Sequence, residues 1–301
     1  MSIDTPLGED ILLLSRFSGR EAVSRFFNYN LDLLSEKKDI SFDDIVGKQV
    51  TIKMQFAGGE NERYFNGYVS RFAQAGSDST FTQYRMEVVP WLWFLTRNAN
   101  CKIFQNMSVT DIIQQVFSDR GFSSKCKPNT TGSYEPLDYC VQYRETDFNF
   151  VSRLMEENGI YYFFEHEDGD HTLVLSDSAS GPQKCPVQSS ARYAAGTSKN
   201  AEDTINSWQI EQELRTGKYT LTDYNFETPT ANLVSSETTV VSVGGNDKYE
   251  LFDYPGNFLT PSDGTDVAKV RMQEEEAGTI IAGGSGNCRS FASTRTLGGT
   301  P

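Results

Sequence analysis

Histidine is nearly absent: the chain has only two, His166 and His171, in 301 residues. Any imidazole-based catalysis must run through that pair. Cysteine is scarce and unpatterned. Cys101, Cys126, Cys140, Cys185 and Cys288 are odd in number and irregular in spacing, and no CxxC occurs. This excludes a disulfide framework and gives no support to a zinc or thioredoxin-type site. Free thiols in a chain folded in a reducing compartment are the simplest account. No apolar run reaches 18 residues, so no membrane-spanning helix is expected. The start, "MSIDTPLGEDILLLSRF", lacks the basic head and long apolar stretch of a cleaved leader, so export without a signal peptide is the expectation. Positive charge is in deficit. Lys and Arg total 27 against 41 Asp and Glu, a formal charge of -14. That argues against a nucleic-acid backbone or an anionic membrane surface as main partner and favours a solvated acidic exterior. No GxSxG elbow is present. "AGGSG" (282–286) and "VGKQV" (46–50) lack the spacing of a phosphate loop.

Aromatic residues, in contrast, are plentiful at 12%, with 20 Phe and 14 Tyr. They lean toward half-buried, pleated surfaces. Through residue 100 the sequence reads as strands: "FFNYNLDLLS", "KQVTIKMQF", "RYFNGYVSRFAQ" and "TFTQYRMEVVPWLWFLT", parted by turn residues. In "TIKMQF", Ile52, Met54 and Phe56 share a face. Ser41 and Asp44 in "SFDDIVGK" suggest one capped helical turn. Pro90 and Trp91 open "PWLWF", read as core within a strand rather than as a stacking platform.

The character then changes. In "SVTDIIQQVFSDRGF", Ser108 is a cap, Asp111 sits at N3, and Val109, Ile112, Ile113, Val116 and Phe117 keep helical spacing, with Gly121 as the stop. A second helix follows in "YRETDFNFVSRLMEENG". Thr146 or Asp147 caps it, Phe148, Val151, Leu154 and Met155 form its stripe, and Asn158-Gly159 ends it. "IYYFF" then begins a hairpin turned at Asp168-Gly169, which pairs Glu167 with Asp170 and His166 with His171. The segment "SDSASGPQKCPVQSS" reads as a linker. Strands return in "TINSWQIEQEL", "KYTLTDYNFE" and "ETTVVSVG". A third helix in "DGTDVAKVRMQEEEAG" turns Val267, Val270 and Met272 inward. The Gly-rich end "IIAGGSGNCRSFASTRTLGGTP" offers no obvious closing strand and suggests a truncated last domain. At roughly 150 residues per domain the length fits about two units, or three small ones.

Two features tempt a chemical reading. The paired histidines, flanked by Glu165, Glu167, Asp168 and Asp170, could converge on a metal, but a cross-strand pair on a solvent face of an acidic turn is the better reading. Adjacent acids such as Asp43–Asp44, Glu156–Glu157 and Glu274–Glu276 could serve a carbohydrate- or peptidoglycan-acting enzyme. Hydrolysis needs two carboxylates in distinct environments across a cleft, whereas neighbours in sequence diverge into solvent. We therefore expect no catalytic, cofactor-binding or metal site, and no enzyme.

The order of the long motifs carries a resemblance. "FSGREAVSRFFNYNLDLLS", "YRMEVVPWLWFLTRNANCKIFQNMSVTDIIQQVF", "DYCVQYRETDFNFVSRLMEENGIYYFFEH", "LTDYNFETP", "FDYPGNF" and "GNCRSF" resemble, in sequence order, segments of the VgrG family, the trimeric spikes of bacterial type VI secretion systems. The resemblance implies a mainly β fold with α/β insertions: two related β-barrels, as in phage tail baseplate hubs. It implies a first barrel at 1–100, an α/β insertion of two helices and a hairpin at 101–178, and a second barrel with an insertion at 179–301. It also implies a homotrimer that seats a hexameric tube of Hcp-like subunits on a threefold spike. Baseplate proteins and secreted effectors are further implied partners, with assembly in the bacterial cytoplasm and export to the exterior or a target cell. A phage tail hub is the alternative. Pro90, Trp91, Gln142, Glu145, Thr146, Asp147, Gly159, Tyr254 and Gly256 fall on the family's motifs as structural positions. Gln142, Glu145, Thr146 and Asp147 are expected to cap and hydrogen-bond the start of the second helix.

Overall fold

The computed structural model describes the chain except residues 57–60, 180–182, 186–188, 195–202, 294, 297 and 301. Parts of the expected linker and of the Gly-Gly turn after Phe56 thus lie outside the described residues.

Six strands form one antiparallel sheet in the order β1-β4-β5-β6-β3-β2. They are β1 (Ser2–Asp4), β2 (Leu13–Arg20), β3 (Asn28–Ser35), β4 (Gln49–Gln55), β5 (Glu62–Ser77) and β6 (Thr82–Val89). Alternation builds the inner face: Tyr29, Leu31 and Leu33 of β3 and Tyr84, Met86 and Val88 of β6 are buried. The 16-residue β5 carries two register shifts, at Val69/Arg71 and Gln74/Gly76. Each extra residue bends the strand and raises its twist, which curls the sheet into a half-barrel.

Pro90 stops β6. It has no N–H to continue the ladder, and Trp91–Arg97 coils into a 3-10 helix, with Trp91, Leu92 and Leu95 buried. "PWLWF" is therefore core, as expected, but helical rather than a strand. The single turn Phe42–Asp44 also forms, although the Ser41 side chain makes no cap hydrogen bond.

The insertion follows: β7 (Ala99–Phe104), α1 (Val109–Asp119), β8 (Cys126–Asn129), β9 (Cys140–Thr146), α2 (Asp147–Glu157), β10 (Tyr161–Glu167) and β11 (Asp170–Ser176). Ser108 accepts from the Asp111 N–H to cap α1, whose buried residues are the five of the expected stripe. In the β10–β11 hairpin, Glu167 faces Asp170 and His166 faces His171. One continuous apolar cluster runs from Ile3 to Leu175, so the half-barrel and the insertion share a core.

The remaining elements are β12 (Gln183–Lys184), β13 (Ser190–Tyr193), β14 (Thr204–Gln212), β15 (Lys218–Leu221), β16 (Ser235–Thr238), β17 (Glu250–Asp253), α3 (Pro261–Glu276), β18 (Ile280–Gly286), β19 (Arg295–Thr296) and β20 (Gly298–Thr300). They make a β18-β14-β13-β20 sheet, a β16-β15-β17 sheet and a β12-β19 pair. The Gly-rich "IIAGGSG" does form a strand, because β14 supplies a seven-pair antiparallel partner. The buried line of α3 is Gly264, Ala268 and Met272. Val267 and Val270 flank it half-buried, so this helix buries small residues at i, i+4 and i+8 rather than a valine stripe. Leu221, Leu233, Phe258 and Ala268 form a second, much smaller core.

Candidate functional site

Two buried polar nodes fix the hairpin and helix that the sequence singled out. The first is built on the histidines, and it corrects the expectation of a solvent-facing pair. His171 is fully buried, and both rings pack against Phe27. The backbone N–H of Trp91 donates to His171 Nε2 at 3.0 Å, leaving Nδ1–H to donate to Asn66 Oδ1 at 2.7 Å. The backbone N–H of Asn66 donates to His166 Nδ1 at 3.1 Å. His166 Nε2–H then faces the Tyr29 hydroxyl at 3.1 Å, whose own proton goes to Glu21 at 2.6 Å. Asn66 donates its amide to Thr51 at 2.9 Å. Each ring thus accepts a backbone N–H, which requires the neutral tautomer. Burial pushes His166 down to about 4 and holds His171 well below its usual value. The ring centroids stand 5.9 Å apart, and their lone pairs are already engaged. The pair ties the hairpin to β3, β5 and the start of the 3-10 helix. Among the described residues no group of three His, Cys, Asp or Glu side chains could hold a metal.

The second node surrounds the start of α2. Thr146 Oγ1 accepts from the Asn149 N–H and is the N-cap. Asp147, 3% exposed, accepts from Arg120 Nε at 2.7 Å and from Gln142 Nε2 at 2.8 Å. Gln142 also donates to the Glu145 carbonyl, and the Glu145 carboxylate pairs with Arg153 at 2.8 Å. Arg144 is the extra residue of a bulge against β7 and takes a φ of 52°. Arg120 could not have been assigned to this node from spacing, since it lies 27 residues away on the end of α1.

The other singled-out positions, Gly159, Tyr254 and Gly256, fall elsewhere. Gly159 takes a φ of 64° after α2, and a Cβ there would stand 3.0 Å from Val270. Gly256 donates its N–H to the Thr222 carbonyl at 3.0 Å and lies against the Phe258 ring, while Tyr254 is exposed. None of these reaches the two nodes.

A cleft of about 330 Å³ is lined by Phe17, Glu21, Tyr29, Arg63 and Phe65 among others. Its one carboxylate, Glu21, is engaged by Tyr29 and by Arg63 at 3.4 Å. The acidic neighbours read from sequence divide: Asp43, Asp44, Glu156 and Glu157 are exposed, whereas Glu275 pairs with Arg215 and Glu276 accepts from Thr239 and Val240.

The molecule thus joins a curled β sheet to a helix–hairpin insertion through one shared core and the histidine node. The fold is similar to that of the E. coli c3393 protein, a type VI secretion component described as structurally similar to the T4 tail proteins gp27 and gp5. That match has a TM-score of 0.62 at 21% identity and covers 71% of this chain and 56% of that one. It is also similar to a 43 kDa tail protein of prophage MuSo2 from Shewanella oneidensis, at TM-score 0.57 and 13% identity, covering 93% and 80%. In sequence, the Pseudomonas aeruginosa type VI secretion system spike proteins VgrG1b and VgrG1a are 41% and 40% identical over 91% and 92% of the chain. The family described as phage tail baseplate hub (GPD) matches residues 20–298. The chain belongs to that hub family, on the side of the VgrG spike proteins. It spans 37% and 43% of the length of those two relatives.

Proposed function

We propose that the chain is the hub region of a trimeric spike at the tip of a type VI secretion machine, adapting a hexameric Hcp-like tube to a threefold puncturing spike. The observation that carries this reading is the hub-family match over residues 20–298, joined to about two-fifths identity with spike proteins. A threefold ring whose chains each supply two similar lobes can meet a sixfold tube without a second gene product. The lobes would be residues 1–100 and 179–301, with 101–178 as the insertion. The nine motif positions act in this reading as scaffold. The work of penetration comes from elsewhere in the machine, so the hub needs rigidity and no active site. Baseplate proteins and secreted effectors are its further partners. Assembly in the cytoplasm and export with the machine complete the proposal. The likeness to a prophage tail protein supports a phage hub as the second reading.

The test is the solution mass by light scattering coupled to size exclusion, followed by binding to hexameric tube protein. The expected mass is about 101 kDa, three times the 33.7 kDa of one chain, with capture at one trimer per hexamer. A stable monomer that ignores the tube protein would refute the proposal.

A further inference from the structure

A second cleft, of about 130 Å³, adjoins the one already described and shares Glu21 and Arg63 with it. Its apolar wall is Phe56 and Phe164, both buried. Its polar wall is Glu62 at the start of β5, Glu165 of β10 and the segment around Ser290. Arg63 places that segment. Its Nη1 donates to the carbonyls of Arg289 and Phe291, one on each side of Ser290. The Arg289 N–H donates to Asp203 at 2.8 Å and adds a second anchor. Ser290 is thereby held only 2% exposed, yet its Oγ has no hydrogen-bond partner among the described residues. A buried hydroxyl without a partner carries a desolvation cost that a ligand reaching it would remove.

The charge of this cleft is one-sided. Glu21, Glu62 and Glu165 line it against one cation, Arg63. That guanidinium is already engaged by Glu21, by the two carbonyls and by the Phe65 ring, whose centroid lies 4.4 Å away. His166 also lines the cleft, and its ring accepts the Asn66 N–H, which keeps it neutral. Glu62 accepts from the Tyr64 hydroxyl at 3.2 Å. Glu165 stands 3.9 Å from Lys127, a residue that does not line the cleft. A carboxylate offers about four lone-pair sites, so neither contact uses up the acid.

We propose that this cleft binds a primary ammonium group carried on a short apolar stem, as in a free alkylamine or a lysine side chain. An ammonium has three donors and no acceptor. Glu62, Glu165 and Ser290 Oγ supply three acceptors, while Phe56 and Phe164 receive the stem. An anion would meet three carboxylates. A guanidinium fork needs both oxygens of one carboxylate, and those of Glu21 are taken by Tyr29 and Arg63. Among the described residues no group of His, Cys, Asp and Glu could hold a metal, so the cation that fits is organic. The volume suits about six heavy atoms, since a cavity of about 150 Å³ takes benzene. The site stands apart from the hub reading, which depends on mass and tube binding.

The test titrates the purified 301-residue chain with n-pentylammonium chloride at neutral pH, followed by ligand-observed NMR. Saturable binding is expected with a Kd of about 1 mM, as a ligand of about six heavy atoms reaches at intermediate efficiency. Pentanoate, of the same length and opposite charge, should not bind. Glu62→Gln and Glu165→Gln should each weaken the amine by about tenfold, and Ser290→Ala by a smaller factor. Glu62 is exposed, so Glu62→Gln should keep the parent's circular dichroism spectrum. Nα-acetyl-lysine amide separates the two sources: binding as tight as pentylamine assigns a lysine side chain, and weaker binding a free amine. A signal that never saturates, pentanoate bound as tightly as the amine, or full affinity in Glu62→Gln/Glu165→Gln would overturn the site.

Discussion

The buried His171 and the half-buried His166 make the stability of the chain depend on pH between 7 and 5. The perturbation is a drop from pH 7 to pH 5. His166 is held down to about 4 by burial, with Glu21 opposing and Arg63 assisting, and His171 lies well below its usual value through burial, the neighbouring His166 and Lys125. The unfolded chain takes up protons near pH 6.5, whereas the folded chain refuses them until much lower. Stability is therefore fully present above about 6.5 and falls as pH drops toward 4. At pH 5 an imidazole of unfolded pKa about 6.5 and folded pKa about 4 has lost about 2 kcal/mol relative to pH 7. His171, also held below its usual value, adds to the loss in the same direction. The resolved carboxylate shifts, at Asp78, Asp119, Asp177 and Glu250, are all downward, so these acids titrate mostly below the window. Urea unfolding at both pH values measures the loss, and the imidazole proton resonances of only two histidines report whether the rings stay neutral. In His166→Gln/His171→Gln, which cannot titrate, the pH 7 to 5 loss is expected to shrink to under about 1 kcal/mol. An undiminished loss in that variant, or ring titration near 6.5 in the parent, would refute the reasoning.

Other substitutions have signs set by single contacts. Gly264→Ala adds a Cβ at 2.4 Å from Ser235 Oγ and 2.5 Å from the Phe258 ring. Overpacking of about 1–3 kcal/mol should outweigh the roughly 1 kcal/mol that alanine gains as a helix former, so thermal unfolding should come earlier. Thr146→Ala should cost about 1 kcal/mol through the lost cap, and Thr146→Ser little, both read by urea unfolding. Asp147→Asn leaves Arg120 without its charged partner and should cost about 1–3 kcal/mol, with Gln142→Leu non-additive to it in a double-mutant cycle.

The first 178 residues were legible because local rules and burial agree there. In α1 the cap, the stripe and the Gly121 stop all name the same helix, and the Asp168-Gly169 turn dictates the register that seats His166 opposite His171. The misread side of that hairpin has a physical cause. Alternation of "EHEDGDH" is polar throughout, so periodicity cannot say which face is inside. The inward face is set by Asn66 and the Trp91 N–H, which lie 105 and 80 residues away from His171. "PWLWF" misled for the opposite reason: its apolar content fits strand and buried helix equally, and only the missing N–H of Pro90 separates them. The α2 node was half-legible. Gln142, Thr146 and Asp147 are close in sequence, while Arg120 is brought in by the packing of α1.

The second region resisted reading because its apolar residues divide between a small core and the surface. Among the described residues its core cluster has four buried members, Leu221, Leu233, Phe258 and Ala268, while Phe226, Val240, Phe252 and Ile210 are more than 60% exposed. Apolar residues placed outward on strands look, in one sequence, like pattern errors. In the trimeric ring proposed above, such residues would find partners on the next chain. A hub gains by this arrangement: if the second lobe is completed only by its neighbour, a lone chain stays partly built and the closed ring becomes the stable state. The half-barrel and insertion, with one shared core and two saturated polar nodes, would then be the rigid part that each chain brings to the assembly. On the ring proposal, the exposed strands of the second region would be the part that assembly finishes. Hydrogen exchange separates these roles within a single sample: amides of β3, β5 and β6 should be protected at every concentration, and those of β14 and β18 only where copies associate.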